Sequence, residues 1–329
     1  MTLVPVLDSF PRHRLIVAGD VFLDEYLFGR GERLSREAPV PVLTFRERRQ
    51  LPGGGANPAM NLAALGAQVS LIGVTGDDLE AATLRRLLSE AGVAVAGLVA
   101  DGSRPTITKT RIVAEGELRF PQQVVRMDRQ SHEPLSPAIR VRLLATLQDL
   151  PAASTVNAIL FSDYRAGLIT SELVDAARTL VRDRSCLLAA DTQGDLGKYH
   201  SFDLLKCNRT EAETYLARPL TANDDFESAL VELTERLNVK TVLITRGANG
   251  ISVGVRGEGH THLSATNVSE VYDVTGAGDT VIAVATLALC AGASPAAAAS
   301  LANYAAGLVV RRWGNAVVTR EELKAEVAG

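Results

Sequence analysis

The chain has 329 residues, of which 47% are hydrophobic and 22% charged, with a formal net charge of −4; these are ordinary globular values that allow a large buried core. The mildly acidic balance offers no field for a nucleic-acid backbone, and no Lys/Arg run carries interleaved aromatics, so nucleic acid is excluded as the expected partner. Cys186, Cys207 and Cys290 are odd in number and widely spaced, which fits neither a disulfide framework nor a zinc site and reads as reduced thiols.

The first fourteen residues lack a basic segment followed by a continuous apolar one, and the longest apolar stretch, Val281 to Ala293, falls short of the roughly 20 residues that cross a bilayer. A soluble, cytoplasmic protein with no membrane partner is the expectation. Arg14 to Gly19 is a short apolar run that suits a buried parallel strand. Asp20 and Asp24 follow it; two carboxylates there could accept hydrogen bonds from sugar hydroxyls, hold a metal, or act as a turn cap and a solvated acid. From Tyr26 to Gln50 prolines and alternating apolar residues exclude helix and predict an extended β-flap.

Gly53-Gly54-Gly55-Ala56-Asn57 then precedes a helical pattern ending near Gly66. Three glycines permit close backbone approach to a ligand and Asn57 can donate to and accept from hydroxyls, although a flexible hinge has the same composition. A strand over 68–73 and a helix from Asp78 to Gly92 continue a strand-helix alternation that predicts a parallel sheet with crossovers. Residues 105–113 and 123–128 alternate with period two around a polar turn at Glu115-Gly116-Glu117, predicting a hairpin that pairs with the flap. Lys109, Arg111 and Arg126 project from it, either toward a ligand or as edge charges.

Further helices are predicted over 136–150 and 171–184, and strands ending in polar residues over 158–164, 186–191, 204–208 and 241–245. Ligands of open α/β sheets bind beyond such strand ends. Asn208 and Glu211 face one ligand or form a capping box, and Thr245-Arg246-Gly247-Ala248-Asn249-Gly250 is either a turn beneath a phosphate or an ordinary β-turn. Asp273-Val274-Thr275-Gly276-Ala277-Gly278-Asp279 opens an apolar helix, so its backbone N–H groups and helix dipole converge on an anion. A carboxylate in a phosphate cradle reads as a base, not a ligand, which points Asp279 at proton transfer. Ser294-Pro295 starts a last alanine-rich helix through Asn303 to about Val310. The first strand lacks the three-glycine dinucleotide fingerprint, no Gly-x-x-x-x-Gly-Lys-Ser/Thr loop is present, and the five histidines have no metal-ligand spacing.

Taken together, Gly54-Gly55-Ala56-Asn57 and Asp273 to Asp279 resemble the two signatures of the ribokinase-like (PfkB) sugar kinases, and the likeness runs over nearly the whole chain. Gly19 to Tyr26, Arg33 to Val42, Pro105 to Arg111 and Ser162 to Gly167 look like the D-glycero-D-manno-heptose 7-phosphate kinases, the kinase half of the ADP-heptose synthesis enzymes, here without a following nucleotidyltransferase. The resemblance implies an α/β three-layer fold over 1–329, with a mostly parallel sheet flanked by helices. It also implies a β-sheet lid from about 24–50 and 104–128 that often forms a homodimer. The implied reaction uses ATP and Mg²⁺ to phosphorylate a sugar or sugar phosphate, with K⁺ bound near Asp273 and Thr275.

In that reading Asp279 is the base, and Gly276, Ala277 and Gly278 stabilise the transferring phosphoryl group. Asp20, Asp24, Gly54, Gly55 and Asn57 hold sugar hydroxyls, and Lys109, Arg111 and Arg126 are the candidates for the 7-phosphate. Asn208 and Glu211 help hold Mg²⁺ and the phosphates, while Thr245, Gly247, Gly250, Thr275 and Asn303 belong to the nucleotide. Two departures bear on the acceptor: Thr192-Gln193-Gly194 stands where Pro-Lys-Gly is expected, and Lys206-Cys207 where Thr-Pro is expected. The alternatives are a kinase for an unphosphorylated sugar or nucleoside, and a sugar- or nucleotide-responsive binding protein, which would need no base at 279.

Overall fold

The computed structural model describes residues 3–116, 119–150, 156–182, 185–267 and 271–328. Helix α1 (Val4–Ser9) leads into β1 (Arg14–Gly19), and after Asp20 alone the chain enters β2 (Val21–Leu34) and returns as β3 (Pro41–Gly54). Next come α2 (Ala56–Ala64), β4 (Gln68–Thr75), α3 (Leu79–Glu90), β5 (Val93–Ala94) and β6 (Leu98–Ala100). A second excursion, β7 (Thr108–Gly116) and β8 (Arg119–Arg129), precedes α4 (Pro137–Asp149), β9 (Ala158–Asp163), α5 (Ser171–Val181) and β10 (Leu187–Thr192). Then follow β11 (Leu204–Asn208), α6 (Arg209–Leu216), α7 (Asn223–Arg236), β12 (Thr241–Thr245), β13 (Ile251–Val255) and β14 (Gly259–Leu263). Three helices close the described chain: α8 (Ala277–Cys290), α9 (Pro295–Val309) and α10 (Arg320–Ala328).

The large sheet runs β14-β13-β12-β11-β10-β9-β1-β4-β5, with β6 also on β4. Pairing is parallel from β12 to β5 and antiparallel only at the β12, β13 and β14 edge. Side-chain alternation sends Leu15 and Val17 of β1 to one core with α2, α8 and α9, and Ile16 and Ala18 to the other with α4, α5 and α7. Both faces being covered is why the strands read as unbroken apolar runs. Asp78, Ser136 and Ser294 cap α3, α4 and α9 through the N–H groups of Ala81, Ile139 and Ala297 at 3.0, 3.3 and 3.3 Å. None of the three cysteines is in a disulfide, and among the described residues no helix is long and apolar enough to cross a membrane.

The small sheet has the order β3-β2-β7-β8, so the two expected hairpins do pair, with β2 and β7 parallel at its centre. Its strands begin earlier and end later than the flap expected from Tyr26 to Gln50, because the β2·β3 ladder continues to the pair Val21 and Gly54. Tyr26 and Phe28 are buried there beneath Trp313, with ring centroids 5.1 and 5.2 Å from it. Glu117 of the expected polar turn and Arg184 at the expected end of α5 lie outside the described residues.

The roots of the small sheet meet the large one where two glycines touch: a Cβ on Gly55 would lie 2.7 Å from the Gly19 Cα, and one on Gly19 2.8 Å from the Gly55 Cα. With backbone on both sides neither can yield. Gly55→Ala is expected to cost about 1–3 kcal/mol, as overpacking does, read from urea unfolding curves; an unchanged midpoint would show that this contact does not constrain the fold.

Candidate active site

Helix α8 is apolar almost all round, and Asp279 is its only charged residue, in the first turn. The turn before it is set by the side chain of Asp273, which accepts from the Thr275 N–H and hydroxyl at 2.9 and 2.7 Å and from the Gly314 N–H at 2.9 Å. Gly276 then takes φ +78°, a left-handed conformation that a side chain resists, and starts the helix. The N–H of Ala277 donates to the Val274 carbonyl at 3.3 Å. Those of Gly276 and Gly278 have no acceptor among the described residues, so two of the three expected anion donors remain available.

Asp279 is 5% exposed. Its carboxylate accepts from Asn57 Nδ2 and from the Tyr164 hydroxyl, both at 2.8 Å. Burial, with the nearby charge of Asp191 in the same direction, pushes its pKa up to about 7, against the lowering effect of Asn57, Tyr164 and Lys206. Asp191 itself, at the end of β10, is paired by Lys206 of β11, whose Nζ donates to both carboxylate oxygens at 2.8 Å. Burial opposes the charge on Lys206, but Asp191 outweighs it and holds the ammonium above its ordinary pKa.

Asp20 is placed differently from its expected role at a sugar hydroxyl. Its oxygens accept the N–H groups of Tyr164, Ala166 and Leu168 at 3.0, 2.9 and 3.0 Å, fixing a turn in which Arg165 adopts φ +61°. The turn aims Tyr164 at Asp279. Burial pushes the Asp20 carboxyl up to about 6, against these backbone bonds.

Asp24 is 4% exposed and accepts from Arg111 Nη1 at 2.6 Å and Asn315 Nδ2 at 2.7 Å. Asn315 and Asn57 both pack against the Cα of Gly276, which draws β2, α2 and the C-terminal segment to the mouth of α8. The three cations of the small sheet separate here. Arg111 is committed to Asp24, and Arg126 is turned to Asp128 by two bonds of 2.8 and 2.9 Å on the exposed edge strand. Lys109 instead lies 4.1 Å over the Phe22 ring and 5.8 Å from that of Tyr164, with no carboxylate in ion-pair range among the described residues.

Gly54 ends β3 at φ +59° and Gly55 caps α2, so both hold the backbone beside Asn57. On the other side of α8, Thr245, Gly247, Gly250 and Asn303 line one cavity of about 550 Å³ together with Lys206, Asn208 and Gly278. Asn303 shapes it indirectly, donating to the Ser264 carbonyl at 2.7 Å. A smaller cavity of about 130 Å³ adjoins it, lined by Tyr164, Asp191, Gln193, Lys206, Asn208, Glu211, Gly276, Gly278 and Asp279. Asn208 and Glu211 form a capping box, with bonds of 2.9 and 2.6 Å between each side chain and the other's N–H, and still face this cavity. Sequence reasoning passed over Tyr164, Asn315 and Lys206. Tyr164 directly follows the polar end of β9 and Lys206 lies within β11, two residues before its polar end; Asn315 carries no local signal.

The family model described as pfkB family carbohydrate kinase matches residues 19–320. The chain is 39% identical over 315 residues to the bifunctional protein HldE of Citrifermentans bemidjiense, which covers 95% of this chain and 63% of that relative. It thus spans less than two thirds of the relative's length. Arabidopsis thaliana ribokinase, solved with ribose and ATP, superimposes with a TM-score of 0.73 at 20% identity, covering 96% of this chain and 99% of that one. Escherichia coli phosphofructokinase-2, solved with potassium, gives a TM-score of 0.77 at 19% identity, covering 96% and 98%. The matched family model and the shared fold agree with the site's arrangement: the chain belongs to the pfkB family of carbohydrate kinases.

Proposed function

We propose that the chain transfers the γ-phosphoryl group of ATP to a hydroxyl of a sugar phosphate, with D-glycero-D-manno-heptose 7-phosphate, giving the 1,7-bisphosphate, as the favoured acceptor. The observation that carries this is a buried carboxylate, Asp279, lining the smaller cavity, which shares Lys206, Asn208 and Gly278 with the larger one, and beside the open N–H groups of a helix terminus. The acceptor hydroxyl gives its proton to Asp279 as its oxygen bonds to the γ-phosphorus, and the bond from that phosphorus to the ADP oxygen breaks. Gly276 and Gly278 meet the charge that spreads over the transferring group. Asn57 and Tyr164 orient the base, while Asp24 and Asn57 face the sugar.

Among the described residues no group of three or more metal-ligating side chains occurs. Magnesium commonly rests on substrate phosphates, water and one or two carboxylates, which Glu211 beside the smaller cavity suits. Bound there it would neutralise phosphate charge. Both Asp273 oxygens are taken up by the turn, so K⁺ in this reading would rest on loop carbonyls. The half-buried ammonium of Lys109 favours an acceptor that itself carries an anion, and the 39% identity to a bifunctional protein HldE supports the heptose. Turnover with ribose or fructose but none with heptose 7-phosphate would sink that acceptor.

The small sheet is the lid in this reading and the face through which two chains pair. Leu34, Phe45 and Met127, on its strands, are 69, 64 and 66% exposed, and a monomer by light scattering at working concentration would rule the pairing out.

Asp279→Asn keeps the shape of the side chain and one acceptor oxygen but no base, so nucleotide affinity should hold while kcat falls at least about 10²-fold. Near-normal turnover would reassign the base. Because the active form is the carboxylate and its pKa is about 7, kcat/KM should rise with pH through about 7 and level above it. Tyr164→Phe removes a hydrogen bond that favours the charged form, so that limb should move to higher pH; a limb that stays put or moves down would refute the part given to Tyr164.

A further inference from the structure

A buried lysine sits where electrostatics alone would not put one. The Lys206 side chain is 7% exposed, and its Nζ lies 2.8 Å from the place a Cβ on Gly278 would occupy, directly against the first turn of α8. That is the positive end of the helix dipole, where a cation is disfavoured. Asp191, its register partner across β10 and β11, holds it there with two hydrogen bonds. An ammonium has three N–H donors, and among the described residues the third has no acceptor. Lys206 also borders both cavities, the larger one with Thr245 and Asn303 and the smaller one with Asp279. The turn Thr192-Gln193-Gly194 directly after Asp191 carries no cation, and its Gln193 lines the smaller cavity beside Lys206. Two open N–H groups, a helix terminus and a desolvated ammonium therefore converge on one point between the cavities.

We propose that Lys206 is a catalytic residue that donates its third N–H to the phosphoryl group in transit, with Asp191 as the positioning residue that fixes the ammonium against the α8 terminus. This rests on the kinase reading above. The group moves from the ADP oxygen to the acceptor oxygen, and Lys206 keeps its proton throughout; what it supplies is charge at the oxygens of the γ-phosphate. A purely structural ion pair would lower stability without telling two nucleotides apart.

Lys206→Met is the direct test, with folding followed by thermal melting and binding by calorimetry with Mg²⁺ and either ADP or β,γ-imido-ATP. The expected result is an ADP affinity within about threefold of wild type, a loss of at least about tenfold for the γ-phosphate analogue, and a fall in kcat of about 10²-fold or more, as for removal of one donor to a transition-state oxyanion. A folded variant that keeps its kcat, or that weakens both nucleotides equally, overturns the assignment. Should the lone methionine leave Asp191 uncompensated and unfold the chain, Lys206→Gln with Asp191→Asn, which keeps a neutral hydrogen-bonded pair, goes through the same comparison with the same outcomes. The titrations need no acceptor, so a wild-type protein that phosphorylates none of the sugars would refute the proposed function while the two nucleotides still judge Lys206.

Discussion

Removing Asp279 from water is the act on which the rest of the site depends. A carboxylate buried at the head of an apolar helix loses its hydration, and Asp191 nearby makes its charge harder still to hold. Left at that, it would stay protonated and could accept nothing. Asn57, Tyr164 and Lys206 restore part of what water would have supplied, one from α2, one from the turn after β9 and one from β11. The carboxylate is thereby poised near neutrality by groups brought from three separate parts of the chain.

Each of those groups needs support of its own, and this explains much of the architecture around the parallel strand ends. Tyr164 points at Asp279 because Asp20 gathers three backbone N–H groups into a turn. Lys206 stands beside the helix because the register of β10 and β11 sets Asp191 opposite it. Asn57 reaches Asp279 because Gly55 lets α2 press against Gly19. A topology that delivers every parallel strand to the same edge is what lets such distant residues meet.

The fold was legible because its signals are local and periodic: apolar runs covered on both faces, capping serines and aspartates, and glycine turns. So was the buried acid at the head of α8, since Asp279 sits inside the motif that makes its environment. What was not legible depends on pairing across distance. Asp20 looked like a ligand because its acceptors' partners lie 144 to 148 residues away. Asn315 joins the site through Asp24, 291 residues distant. Lys206 looked like a departure from a pattern because a strand seen alone does not reveal which residue faces it in the next one. Lys109, Arg111 and Arg126, alike in sequence, likewise differ only through their neighbours, since Asp24 and Asp128 pair with two of them.

Two of the four connections between the small sheet and the rest of the chain are very short. Asp20 alone separates β1 from β2, Gly55 alone separates β3 from α2, and the Gly55 N–H donates to the Asp20 carbonyl at 2.8 Å, so the two roots are clasped together. Such an attachment behaves as a stiff leaf on a narrow pivot. At about 3.3 Å per residue, the far end of β2 stands roughly 40 Å from the pivot and Asp24 about 10 Å, so a 10° swing of order would carry the tip about 7 Å and the carboxylate only about 2 Å. A swing about these roots would therefore change how much solvent reaches the space beneath the sheet far more than it displaces Asp24.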